Sequence, residues 1–170
     1  MPLVGLATLI AAAAIAAPHA TPHRAHGSKL AARTVLMEIN AVRSSHSLRP
    51  LRLSSQLTAA ADQHSREMGT KGYFEHSSAD GTSFWKRVER YYGSTGYSYW
   101  SVGENLLWST GTPTPSAAVT MWMSSTPHRK NLLDRNWRQV GLSVRQFDGA
   151  PGVYQGLDVT IVTADFGVRY

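Results

Sequence analysis

The chain has 170 residues, enough for one domain with a buried core and short for two. Hydrophobic residues make up 42% and charged residues 16%, an ordinary globular balance that excludes wholesale disorder. The formal charge is +6, carried mostly by arginines spread along the chain (Arg33, Arg43, Arg52, Arg66, Arg87, Arg129 and Arg145). A solvated basic surface is therefore expected, and with no recognisable nucleic-acid module no nucleic-acid partner is expected.

Leu3 to Ala17 is almost wholly apolar and alanine-rich, about the length of a signal-peptide core and short for a membrane span. Ala14-Ile15-Ala16 offers small residues for cleavage before Ala17, although no Lys or Arg precedes the run. Residues 1–16 are thus expected to direct export, with no transmembrane anchor in the mature chain. The sequence holds no cysteine, so an exported domain must be held by packing alone. Residues 17–28 are rich in Pro, His, Ala and Thr without periodicity and predict a flexible linker. His19 would be third in a chain cut before Ala17, but an amino-terminal copper site needs a deprotonated amide from the second residue. Pro18 has none to give.

From Lys29, Leu30, Val35, Leu36, Ile39 and Val42 recur at helical spacing, and the run ending in Pro50 breaks the helix. A second helix starts at Ser54 or Ser55, carries Leu57, Ala60, Ala61, His64 and Met68, and stops within Gly69 to Gly72. Thr82 could cap a short helix through Phe84, Trp85 and Val88, followed by a Gly/Ser/Tyr-rich loop to Trp100. Ser101 to Trp108 predicts a strand, and Pro113 to Ser116 opens a helix bearing Ala118, Met121 and Trp122. Thr126-Pro127 reads as cap and first-turn proline of a helix through Leu133. A hairpin closes the chain: Gln139 to Phe147, a turn over 148–152, then Val153 to Val168. Helices followed by antiparallel strands make an α+β domain.

Two runs stand out, Gly103-Glu104-Asn105 and Trp122 to Leu133 with His128 inside it; His76, in Phe74-Glu75-His76-Ser77, adds a second imidazole. Two imidazoles and a carboxylate can bind a divalent metal or transfer a proton only if the fold gathers them. His128 in a helix's first turn, beside the positive end of the dipole, is kept neutral, the form that binds metal or accepts a proton. The same placement suits a histidine that merely locks two elements. His64 beside Ala60 reads as a packed or surface histidine. Ser125, His128 and Glu104 could be a nucleophile, base and orienting acid, but no strained Gly-x-Ser-x-Gly elbow surrounds Ser125, and a helix-entry role explains it more simply. Asn105 and Asn131 read as loop-holding residues. Most of the five tryptophans are expected in the core, with one or two near the Gly93–Trp100 loop available to line a groove.

An ordered set of positions resembles the CAP superfamily of cysteine-rich secretory, antigen 5 and plant pathogenesis-related class-one proteins, and most closely its bacterial secreted, SCP-like branch. The set runs through Asn40 and Arg43, Pro50-Leu51, the Ala60/His64/Met68 helix, Phe74-x-His76-Ser77 and Gly103-Glu104-Asn105. It continues through Trp122-x-x-Ser125-x-x-His128-Arg129-x-Asn131-Leu-Leu133, Val140-Gly141-Leu142 and Asp165-Phe166-Gly167. It covers nearly everything after the linker, so residues 29–170 are expected to be one CAP domain. The resemblance implies an α–β–α sandwich, a three-stranded antiparallel sheet between helical layers, with a central cleft. In that family the cleft commonly holds two histidines and two acids that in some members bind a divalent cation. His76 and His128 match the histidines and Glu104 one acid; Ser125 stands where eukaryotic members have the other. A hydroxyl is a far poorer ligand than a carboxylate, so a site of His76, His128 and Glu104 would hold a cation such as zinc only weakly.

The leading expectation is a secreted, non-enzymatic, monomeric binding module. Its cleft, of His76, Glu104, His128 and Ser125, would take a small apolar or lipid ligand, a cation, or an extracellular or cell-envelope partner. A metal-assisted extracellular hydrolase using the same cleft and a basic envelope-associated protein with a structural cleft are the alternatives.

Overall fold

The computed structural model describes residues 25–170, so the signal-peptide expectation and most of the linker lie outside the described residues. Helix α1 (Ala25–Ser45) begins four residues inside the expected linker. Strand β1 (Arg52–Leu53) leads into α2 (Ser55–Lys71), and α3 (Phe84–Glu89) precedes β2 (Trp100–Thr110). Helices α4 (Pro115–Ser124) and α5 (Thr126–Leu132) follow, then β3 (Gln139–Ala150), a 3-10 turn (Gly152–Tyr154) and β4 (Leu157–Arg169). No helix among the described residues is long and apolar enough to cross a membrane.

Local chemistry accounts for most boundaries. Ser54 caps α2 by accepting from Leu57 N, and Gly72, at φ 73, ends it in the left-handed conformation that costs glycine least. α2 thus runs straight through Gly69. Thr114 caps α4 ahead of Pro115. Two expected caps shift by one residue: Ser83 rather than Thr82 precedes α3, and Ser125 rather than Thr126 precedes α5, neither with a side-chain cap bond. The final strand starts at Leu157 and not at Val153, because Tyr154 turns inward. Its ring is fully buried edge-on against Trp108, and its hydroxyl donates to Tyr73 O at 2.8 Å.

The sheet corrects the expected topology. Its order is β1-β3-β4-β2: β3–β4 and β4–β2 are antiparallel, but β1 joins β3 in parallel, giving four mixed strands instead of three antiparallel ones. Two residues are too few to show an alternation in sequence. β1 is instead fixed from outside, since Asn40 grips Leu51 through both backbone groups at 2.8 and 3.0 Å. Arg52 N and Ser54 N then donate to Arg138 O and Val140 O.

Central β4 is buried on both faces, and its side chains alternate between two cores. Val162, Ala164, Phe166 and Val168 pack with residues of α1, α4 and α5, including Ile39 and Trp122. On the opposite face Val159 and Ile161 meet Met68 of α2 and Phe147. Helices therefore cover both sides of the sheet. Two arginines read as surface charge are buried. Arg43 donates to the carbonyls of Arg49, Leu132 and Asp134, and Arg87 enters the site described below. Trp122 and Trp137 are core residues, while Trp85, on α3, is 42% exposed.

Candidate functional site

The site forms where β2, the edge strand, passes between α3 and α5. Alternation along β2 sends Glu104 to the α2 side, with Leu106, and sends Gly103 and Asn105 to the α5 side. The loop after α2 delivers His76, whose Nδ1 lies 2.8 Å from Glu104 Oε1. Arg87 of α3 pairs with Glu104 Oε2 through Nη2 and donates through Nη1 to His76 O at 2.9 Å. One guanidinium thus fixes both the carboxylate and the backbone of the histidine bound to it. The Glu104 and Arg87 side chains are sealed (0% and 1% exposed), whereas the His76 side chain is 54% exposed.

Asp165 of β4 stands directly opposite Glu104 in the ladder and faces Gly141, which brings no side chain, on its other flank. It is fully buried, and its carboxyl interacts directly with that of Glu104. Burial, then the adjoining Glu104 charge, hold Asp165 well above the ordinary 3.8, and burial pushes Glu104 up to about 7 against the pull of Arg87. Two carboxyls and a single guanidinium therefore retain a proton between them near neutral pH. Asp165, with no cation in contact, is the one that keeps it. Glu104, paired with Arg87, is the acceptor for His76.

Burial, reinforced by Arg87, holds His76 below the ordinary histidine value. A carboxylate can only accept, so the neutral ring places its proton on Nδ1 and leaves Nε2 as an acceptor on the exposed side. His128 lies in the first turn of α5, half-buried, and burial and then the His76 charge lower it too. Its carbonyl accepts from Asn105 Nδ2 at 3.0 Å, and Asn105 Oδ1 accepts from Asn131 Nδ2 at 3.0 Å. Gly103 makes this possible, since a Cβ there would sit 2.6 Å from Asn131 Oδ1 and 2.8 Å from Trp137 Cζ2. Asn105 and Asn131 hold the wall, as their sequence context suggests.

The fold thus brings His76 and Glu104 into contact, and His128 stands near enough for the His76 charge to act on it. Among the described residues no hydrogen bond joins His128 to His76, Glu104 or Ser125. Ser125, at the α4–α5 junction, uses its backbone, donating to Trp122 O and accepting from Arg129 N. His64 is buried with Nε2 2.9 Å from Glu75 O, and burial lowers it to about 3, so it is a neutral strut beneath the His76 loop. The sequence reading quoted Asp165 in the Asp165-Phe166-Gly167 run and Arg87 among the surface cations, but gave neither a place in the site. An acid inside the apolar run from Val159 to Val168 was the available signal for Asp165; Arg87 offered none beyond its charge.

A divalent cation does not fit this arrangement. Among the described residues no three His, Asp or Glu side chains are placed to hold a metal. Glu104 spends one oxygen on His76 and the other on Arg87, whose positive charge repels a cation.

The sequence profile of the cysteine-rich secretory protein family, CAP, matches residues 36–164. YkwD of Bacillus subtilis is 36% identical over 103 residues, 61% of this chain, and the membrane protein YlbC of the same organism is 29% identical over 112. The matches span only 38% and 31% of those proteins. Among solved structures, an extracellular SCP-domain protein of Bacillus anthracis matches 82% of this chain and 40% of its own, at 27% identity and TM-score 0.62. An outer surface protein of Borrelia burgdorferi matches 88% of this chain and 98% of its own, with TM-score 0.64. At 17% identity that second match speaks for the fold alone.

Proposed function

The chain belongs to the cysteine-rich secretory protein family, CAP, and from this we propose that it is an exported, non-enzymatic binding module. Its cleft, of His76, Glu104, His128 and Ser125, engages an extracellular or cell-envelope partner. The observation that carries the reading is the contrast between an exposed imidazole and its sealed support. A ring held at Nδ1 by a buried carboxylate, itself held by a buried guanidinium, presents Nε2 in one orientation. That preorganisation lowers the ordering cost of binding. His128, in the first turn of α5, supplies a second neutral imidazole. The extracellular description of the Bacillus anthracis relative agrees with an exported protein.

The same His76–Glu104 pair supports a second reading, general-base catalysis without metal, since a carboxylate-oriented imidazole is what proton abstraction requires. No nucleophile is hydrogen-bonded to either imidazole among the described residues, which is why binding comes first.

Co-sedimentation with a purified bacterial envelope fraction tests the proposal. His76→Ala and His128→Ala should each reduce retention while leaving Tm within a degree or two. Unchanged retention with a lowered Tm would make the cleft purely structural. Turnover of envelope peptide or glycan that disappears in His76→Ala would move the protein to the catalytic reading.

A further inference from the structure

A second concave feature lies between the loop that follows α1 and the loop that follows α5. Ser47, Leu48 and Arg49 form one wall and Arg135, Asn136 and Arg138 the other, around a pocket of about 270 Å³. It shares no residue with the cleft, and its size suits a small group rather than a drug-sized molecule. Three of the six lining residues are arginines and none is an acid.

Both walls are tied to buried Arg43. Its Nε donates to Arg49 O at 3.0 Å, and its Nη1 to Leu132 O at 2.8 Å and Asp134 O at 3.0 Å, which binds one loop to the other. In the first wall Ser47 takes φ 57, and Leu48 N returns to Arg43 O at 2.9 Å. In the second, Arg138 Nη1 donates to the carbonyls of Arg135, Asn136 and Trp137 at 2.9, 2.8 and 3.0 Å. Those bonds fix its guanidinium and leave Nε and Nη2 unspent. The Arg49 and Arg135 side chains are exposed, and neither has a hydrogen bond or ion pair among the described residues.

The charge balance is one-sided. Asp134 is the adjoining acid, but its Oδ1 accepts from Asn136 N at 2.8 Å and its charge acts on Arg43. Burial holds Arg43 below the ordinary arginine value; Asp134 opposes this and the Arg138 charge adds to it. Arg43 Nη2 is itself buried without a partner. Guanidiniums gathered round one cavity repel one another until an anion enters. We propose that this pocket binds a phosphate group.

The donor set discriminates among anions. A tetrahedral phosphate offers oxygens in several directions, so each of the three arginine forks can engage it, whereas the oxygens of a carboxylate lie in one plane and match a single fork. A nucleic-acid strand needs cations in a row along successive phosphates, but these arginines share one pocket. Two sources carry the group: free phosphate, and the phosphodiester units of an anionic envelope polymer.

Inorganic phosphate titrated into the full chain at constant ionic strength should give saturable shifts in the backbone amide signals of Arg49, Asn136 and Arg138 at millimolar concentration. Acetate should not. The double variant Arg49→Gln/Arg135→Gln should weaken binding about three- to tenfold with Tm unchanged, as expected for two exposed charge pairs. Lys29→Gln/Arg33→Gln removes the same charge from α1 and should leave the affinity unchanged. His76→Ala should do so too, which separates this pocket from the cleft. Soluble polyglycerol phosphate that displaces inorganic phosphate and binds more tightly per phosphate identifies the polymer as the source; displacement no better than by inorganic phosphate identifies the free ion. Acetate binding equal to phosphate, equal weakening by the Lys29/Arg33 variant, or no saturable shift would overturn the proposal.

Discussion

Replacing Asp165 by asparagine isolates the proton held between the two buried carboxyls. An unfolded aspartate ionises near 3.8, whereas burial and Glu104 keep the folded one protonated well above that. With the folded pKa raised, the unfolded state binds fewer protons over the intervening range, so stability falls as pH rises through it. One proton's difference corresponds to about 1.4 kcal/mol per pH unit. Asparagine has the same shape as the protonated acid, can donate to Glu104, and does not titrate. The stability of Asp165→Asn relative to the parent should therefore grow as pH rises above the unfolded value, by up to about 1.4 kcal/mol for each pH unit over which the folded acid keeps its proton. Urea unfolding followed by fluorescence of the buried Trp122 and Trp137 at several pH values measures this. Histidine titrations, present in both proteins, cancel in the difference. A difference that does not change with pH, or a variant destabilised at neutral pH by a pH-independent amount, would show that Asp165 is ionised in the fold and refute the reasoning.

Arg87→Met strips the sealed Glu104 of its cation and should destabilise the protein by about 3–5 kcal/mol; adding Glu104→Gln should recover much of it in a denaturation double-mutant cycle. His64 acts oppositely to Asp165. Its folded pKa, near 3, lies below the ordinary 6.5, so its contribution is present above 6.5 and lost as pH falls towards 3. The loss reaches about 2 kcal/mol by about pH 5, and His64→Gln should flatten the acid limb of the stability curve by that amount. Gly103→Ala drives a methyl into Asn131 and Trp137 and should cost about 1–3 kcal/mol by the same assay, with chemical-shift changes centred on α5.

Much of the helical layer was legible because its signals are local. Ser54 and Thr114 cap where serine and threonine are expected to, and Gly72 ends α2. β1 carries no such signal, since two residues cannot show a period and the strand exists because Asn40 and β3 hold it there. His76 and Glu104 could be paired only through the family resemblance, because 28 residues separate them and neither run implies the other. Arg43 and Arg87 were read as solvated because arginine is rarely sealed. Their burial follows from acceptors supplied by segments distant in sequence or in the fold. His128 entered the expected set through the same resemblance, and its carbonyl is held by Asn105, which β2 turns to the face opposite Glu104.

Arg43 also bears on how long the fold persists. Its guanidinium joins the end of α1 to carbonyls 89 and 91 residues further along, and β1 meets β3 over a similar span. Closing a loop of that length costs roughly 2 kcal/mol more entropy than closing a ten-residue one, so this clasp is expected to form after the folding barrier is crossed. Arg43→Met should then accelerate unfolding while leaving the refolding rate nearly unchanged in stopped-flow traces. In a chain without cysteine, a clasp of this kind is expected to do part of what a covalent staple does, slowing the opening that exposes a chain to proteases.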